Sequence, residues 1–119
     1  MKKMFYSNYE FIHSEEWLNL KDSELKFYLY YIDGKSLTIE NVRDLNKFYS
    51  IAFENNAILI VFTNDKDEDS LEIMSNLSCI DYIIYSDESI YDILLKIRPH
   101  YIINSDVKCD ETGTENITI

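Results

Sequence analysis

Residues 78–106, SCIDYIIYSDESIYDILLKIRPHYIINSD, constrain the fold more than any other segment of the chain. Two short apolar runs, 81–85 and 100–104, predict buried strands. Between them, Ser89 is a favourable helix N-cap and Pro99 ends the helix. A strand, a crossover helix and a second strand of this size form a βαβ unit. The segment therefore predicts a parallel sheet with covered faces.

The same alternation continues upstream. The runs 26–32, KFYLYYI, and 57–63, AILIVFT, are almost wholly apolar and predict two further strands that are buried on both faces. Apolar residues at helical spacing predict the intervening helices. These are expected near 14–21 with Ser14 as cap, from Thr38 to about Asn55, and from Asp69 or Ser70 to Leu77.

We therefore predict a three-layer α/β domain with a Rossmann-like, doubly wound parallel sheet of about four strands in the order 3-2-1-4. The domain spans 1–119, with an aromatic lead-in at 1–13 and a polar tail at 107–119. Ligands of such sheets bind beyond the carboxyl ends of the strands, where the strand order reverses. That rule places 33–36 and 104–106 around the expected crevice.

Charge restricts the partners. The chain has 22 Asp and Glu against 11 Lys and Arg, a formal net charge of -11. Such a charge repels nucleic acid and anionic membranes and attracts basic proteins. Cys79 and Cys109 show no metal-ligand spacing, and no targeting segment or membrane span is evident. We expect reduced thiols, no metal site and a cytoplasmic protein.

Several short elements carry a family resemblance. Residues 80–88, IDYIIYSDE, precede a helix that ends at Arg98-Pro99-His100, and the next strand ends in Asn104-Ser105-Asp106. Phe62-Thr63-Asn64-Asp65 and Asp33-Gly34-Lys35 end the two earlier strands. In this order they resemble the cytidylyltransferase-like nucleotidyltransferases, particularly the heptose-phosphate adenylyltransferase and glycerol-3-phosphate cytidylyltransferase group. The resemblance covers most of 12–106.

The resemblance implies a nucleotide site that takes ATP or CTP with Mg²⁺, at the carboxyl edge of the sheet. By position, the residual candidates for that site are Gly34, Lys35, Asn41, Arg43, Asp44 and Asp106. The family motif H-x-G-H falls on 41–44, where neither histidine is present. The family's basic linker is replaced by the acidic stretch 65–69, and no Ser/Thr-rich helix start follows the last strand. We therefore expect no catalytic residues, and structural roles for His13 and His100.

Two local motifs are not interpreted as sites. Asp65, Asp67 and Asp69 imitate the start of an EF-hand loop, but Ser70 and Asn76 occupy positions that need Gly and Glu. Gly34-Lys35-Ser36 imitates the end of a P-loop without its upstream glycine. The first motif is explained by a solvated acidic loop, and the second by a turn after a strand.

Three functions remain open. The first is a non-catalytic, nucleotidyltransferase-like binding module that uses protein contacts of its acidic surface and aromatic N-terminus and retains a residual nucleotide site. The second is an acidic inhibitor of a nucleic-acid-binding protein, such as a phage-encoded antagonist of host defence. The third is an active nucleotidyltransferase on a sugar or polyol phosphate, using Lys35, Arg43 and Asp106. The resemblance also implies a homodimer. The acidic interaction surface comprises Asp65, Asp67, Glu68, Asp69, Asp87 and Glu88.

Overall fold

A computed structural model of the chain describes residues 4–33, 37–64, 67–109 and 111–119. Strands and helices alternate throughout these ranges. In chain order they are β1 (Met4–Phe5), α1 (Asn8–Ile12), α2 (Glu15–Leu20), β2 (Lys26–Ile32), α3 (Ile39–Asn55), β3 (Ala57–Thr63), α4 (Glu68–Ser75), β4 (Tyr82–Tyr85), α5 (Ile90–Ile97), β5 (Tyr101–Ile103) and β6 (Glu115–Ile117). The six strands form one sheet in the order β1-β4-β3-β2-β5-β6, and every pair is parallel.

The centre of the sheet is the pairing of β2 with β3, which runs without interruption from Lys26 opposite Ala57 to Ile32 opposite Thr63. Successive side chains of β2 enter opposite cores: Leu29 packs in one and Tyr30 in the other. Both faces of the strand are buried, which is why its sequence is almost continuously apolar instead of alternating.

Helices cover both faces of the sheet. Helices α3 and α4 pack on one face through Leu45, Phe48 and Met74. Helices α1, α2 and α5 pack on the other, where Phe11 and Trp17 join the apolar side of α5. The predicted three-layer α/β class with a Rossmann-like parallel sheet is confirmed. None of the helices in the described ranges has the length and hydrophobicity needed to cross a membrane.

The strand count and the order of the whole sheet differ from the prediction, because each margin carries an additional short strand. The four predicted strands lie side by side as β4-β3-β2-β5, with β1 beyond β4 and β6 beyond β5. Strand β6 lies within the predicted polar tail. The sequence pattern does not reveal it, because Glu115 and Asn116 are exposed and the strand is held through its main chain.

The C-terminal segment is built into the domain by specific contacts. The Thr114 hydroxyl donates to the Pro99 carbonyl at 2.7 Å, and the Glu115 N–H donates to the His100 carbonyl at 3.0 Å. Cys109, expected in a polar tail, is 5% exposed and packs in the core beneath α5.

Helix starts follow side-chain capping. Ser14 caps α2 as predicted, and its hydroxyl oxygen accepts from the Trp17 N–H at 3.2 Å. The predicted start of α4 at Asp69 or Ser70 is wrong. Asp67 is the N-cap, and its carboxylate accepts from the Asp69 N–H at 3.2 Å and from the Ser70 hydroxyl at 3.1 Å. Part of the predicted acidic loop is therefore the first turn of a helix, where negative charge is favourable.

His100 joins β5 to β2 at the amino-terminal end of the sheet. Its side-chain Nδ1 accepts from the Phe27 backbone N–H at 3.0 Å. The backbone N–H of His100 donates to the Phe27 carbonyl at 2.9 Å. Burial lowers the pKa of His100 below its ordinary value of 6.5, and the charge of Lys26 lowers this pKa further. The neutral imidazole therefore has a structural role.

This hydrogen bond predicts a pH dependence of stability. Nδ1 can accept only when it is unprotonated, so the unfolded chain binds the proton more readily than the folded chain. The contribution to the free energy of unfolding is present above about pH 6.5 and is lost as the pH falls through the lower folded pKa. In His100→Asn, Oδ1 can accept the same bond without titrating. Denaturant unfolding at a series of pH values should show a shallower decline below pH 6.5 for the variant; parallel curves would contradict this role.

Candidate ligand-binding edge

The carboxyl ends of the parallel strands meet at one edge of the sheet. Asp33 follows β2, Asn64 follows β3, Ser86 follows β4 and Asn104 follows β5. The chain leaves β2 through α3 on one face, whereas it reaches β5 through α5 on the other face. The strand order therefore reverses between β2 and β5, which is where open α/β sheets bind ligands.

Some predicted site residues lie outside the described residues. These are Gly34 and Lys35 of the nucleotide-site candidates and Asp65 of the acidic surface. The other nucleotide-site candidates are Asn41, Arg43 and Asp44 on α3, and Asp106 after β5.

Asn41 and Asp44 both hydrogen-bond the hydroxyl group of Tyr30. Asn41 Nδ2 donates to that hydroxyl at 2.9 Å, and the hydroxyl donates to Asp44 Oδ2 at 2.8 Å. Tyr30 is 4% exposed, and burial is the main reason that its pKa is raised above the ordinary value. These two positions, where the resemblance places phosphate-handling histidines, are joined to the core by one buried phenol.

The first turn of α3 is closed by its own side chains. Thr38 Oγ1 accepts from the Asn41 N–H at 3.1 Å, and Asn41 Oδ1 accepts from the Thr38 N–H at 2.9 Å. This reciprocal pair is a capping box, and it satisfies N–H groups that a helix start would otherwise offer to an anion. Arg43, two residues further along the helix, is exposed.

A small cavity lies between the end of β2 and the start of α3. Its volume of about 220 Å³ falls below the roughly 300 Å³ at which small-molecule pockets begin. Among the described residues, it is lined by Tyr31, Ile32, Asp33, Thr38 and Asn41. The lining includes a carboxylate, because Asp33 is part of it and its Oδ1 accepts from the Tyr31 hydroxyl at 2.9 Å.

The element Asn104-Ser105-Asp106 forms a turn that holds the C-terminal segment. Asn104 adopts a left-handed conformation with φ 48°. Its N–H donates to the Ile117 carbonyl at 2.8 Å, and its Oδ1 accepts from the Ile119 N–H at 2.9 Å. Ser105 Oγ accepts from the Val107 N–H at 3.1 Å, and Asp106 is exposed.

The predicted acidic surface contains carboxylates with two different roles. Asp67 caps α4, and Glu88 accepts from the Ser86 hydroxyl at 2.9 Å and from the Asn8 N–H. These two carboxylates hold the fold together. Glu68, Asp69 and Asp87 are exposed. No group of three or more His, Cys, Asp or Glu in the described ranges is arranged to hold a metal ion.

Sequence reasoning did not identify Tyr30 as the centre of this edge. A signal was available: Asn41 and Asp44 are three residues apart on one helix, so they share a face, and strand alternation turns Tyr30 toward the same core. The sequence does not reveal that α3 lies beside β2, which is what brings the three polar groups together.

Comparison with known proteins adds no relative. No protein-family model, curated protein or solved structure matches the chain. The geometry of the edge therefore carries the functional argument.

The Tyr30 network predicts a measurable loss of stability. Tyr30→Phe keeps the ring and leaves Asp44 and Asn41 without their shared partner, so we expect the free energy of unfolding to fall by about 1–3 kcal/mol. Denaturant unfolding measures this loss, with Tyr49→Phe, on the exposed side of α3, as the matched control. A double-mutant cycle with Asp44→Ala should give a coupling energy; additive effects would contradict the network.

Proposed function

We propose that this chain is a non-catalytic binding module that recognises a basic protein through the acidic carboxyl edge of its sheet. The observation that carries the proposal is that the side chains of Asn41 and Asp44 are both hydrogen-bonded to the Tyr30 hydroxyl. Asn41 donates to the Tyr30 hydroxyl at 2.9 Å and Asp44 accepts from it at 2.8 Å, so neither side chain is arranged to stabilise charge on a polyphosphate.

The charge of the edge supports the same proposal. Carboxylates follow three of the inner strands directly or within three residues: Asp33 after β2, Asp87 after β4 and Asp106 after β5. Asp67 stands at the start of the helix that follows β3. A nucleotide triphosphate approaching this edge meets like charge, whereas a Lys- or Arg-rich surface meets opposite charge.

The exposed carboxylates are the ones that suit a partner. Glu68, Asp69 and Asp87 are exposed, so a basic surface can reach their carboxylates. Proteins that bind nucleic acid present Lys and Arg to phosphates. An acidic module can occupy such a surface in place of the nucleic acid. The specific form of the proposal is therefore that the module inhibits a nucleic-acid-binding protein.

The aromatic lead-in contributes to both the core and the surface. Phe5 and Phe11 are buried and meet edge to face, with ring centroids 5.0 Å apart. Tyr6 and Tyr9 are 57% and 67% exposed, and Tyr9 stacks on His13. The exposed tyrosines supply aromatic surface of the kind that is enriched in protein interfaces.

A charge-neutralised variant tests the proposal. Combining Glu68→Gln, Asp69→Asn and Asp87→Asn should weaken binding to fluorescently labelled protamine, an arginine-rich nucleic-acid-binding protein, by about threefold or more. The matched control combines Glu24→Gln, Glu54→Gln and Glu111→Gln, which are exposed and change the net charge equally.

Fluorescence anisotropy at several salt concentrations measures the affinity, and duplex DNA should compete with the module for protamine. Equal losses for the two triple variants would show that net charge, and not this edge, governs binding, and would contradict the proposal.

A further inference from the structure

A groove at the margin of the sheet combines aromatic rings with carboxylates. Helix α4 turns one face toward β1 and the end of β4, and the groove between them has a volume of about 450 Å³. The helix residues recur at helical spacing and therefore share that face. The lining residues are Met4, Tyr6, Glu68, Leu71, Glu72, Ser75 and Tyr85.

The two tyrosines form the aromatic part of the groove. Tyr6 and Tyr85 meet edge to face, with ring centroids 6.2 Å apart and planes at 81°. Tyr6 is 57% exposed, so its ring is accessible to a ligand. Glu68 and Glu72 are exposed on the face of α4 that lines the groove. Aromatic faces and carboxylates both attract cations.

We propose that this groove binds an arginine side chain of an extended basic segment of a partner protein. This inference rests on the proposed function and names the contact that gives it specificity. A guanidinium can stack on a tyrosine ring while its N–H groups donate to a carboxylate, which a lysine ammonium cannot do with the same geometry. Because β1 is the outermost described strand on this side of the sheet, an extended segment can approach the groove from solvent.

The structure explains why the groove selects a cation instead of an apolar anchor. Leu71 and Met4 are half-buried and form its floor, whereas Glu68 and Glu72 stand at its wall. An apolar side chain would desolvate two carboxylates without pairing them, which is unfavourable. An arginine covers the floor with its methylene groups and pairs its charged end at the wall.

The experiment is an NMR titration of the whole chain with a capped hexa-arginine peptide, compared with hexa-lysine. We expect saturable shifts concentrated at Met4, Tyr6, Leu71 and Tyr85, and weaker binding of hexa-lysine. Tyr6→Leu should weaken hexa-arginine binding about two- to fivefold, and Tyr6→Phe should retain it because the ring is kept. Glu72→Gln should weaken it by up to about fivefold.

Matched controls are Tyr49→Leu and Glu24→Gln, which remove an exposed ring and an exposed carboxylate elsewhere. If hexa-arginine binds but its shifts lie outside the groove, or if the controls weaken binding equally, the groove assignment is overturned and the acidic module remains. If neither peptide binds at low salt, and protamine binding is also absent, both proposals are overturned.

Discussion

The uninterrupted parallel pairing of β2 with β3 is the constraint on which the rest of the structure depends. It runs over the full length of both strands, from Lys26 opposite Ala57 to Ile32 opposite Thr63. Parallel strands require crossover helices, and a strand buried on both faces requires helices on both sides of the sheet. The pairing also brings the carboxyl ends of the strands to one edge, so it decides where polar side chains gather.

At that edge, the fold uses several polar groups for its own stability. Tyr30 would bury an unpaired hydroxyl if Asn41 and Asp44 did not bond it, and such a group is costly in a core. Glu88 joins the end of β4 to α1 at the same edge, and toward the amino-terminal end of the sheet Asp81 Oδ2 accepts from the Leu59 N–H at 2.9 Å. Both carboxylates lie within residues 78–106 and have structural partners.

The sequence predicted the parts of the fold that leave a burial pattern. Strands β2 and β3 and helix α3 were predictable because long apolar runs and helical spacing follow directly from burial. The margins were not predictable, because β6 is three residues long and is held by main-chain bonds. The candidate site was predictable only as a location: Asn41 and Asp44 do lie on α3 beside the end of β2, but their role depends on Tyr30, a tertiary partner that no local pattern specifies.

We propose that this edge serves protein binding and not nucleotide chemistry. Isothermal titration calorimetry with ATP, CTP and GTP, each with Mg²⁺, tests it most directly. We expect no saturable heat at millimolar nucleotide, because Asn41 and Asp44 are already bonded to Tyr30 and the edge is acidic. Micromolar binding of any one nucleotide, lost in Arg43→Ala, would contradict it.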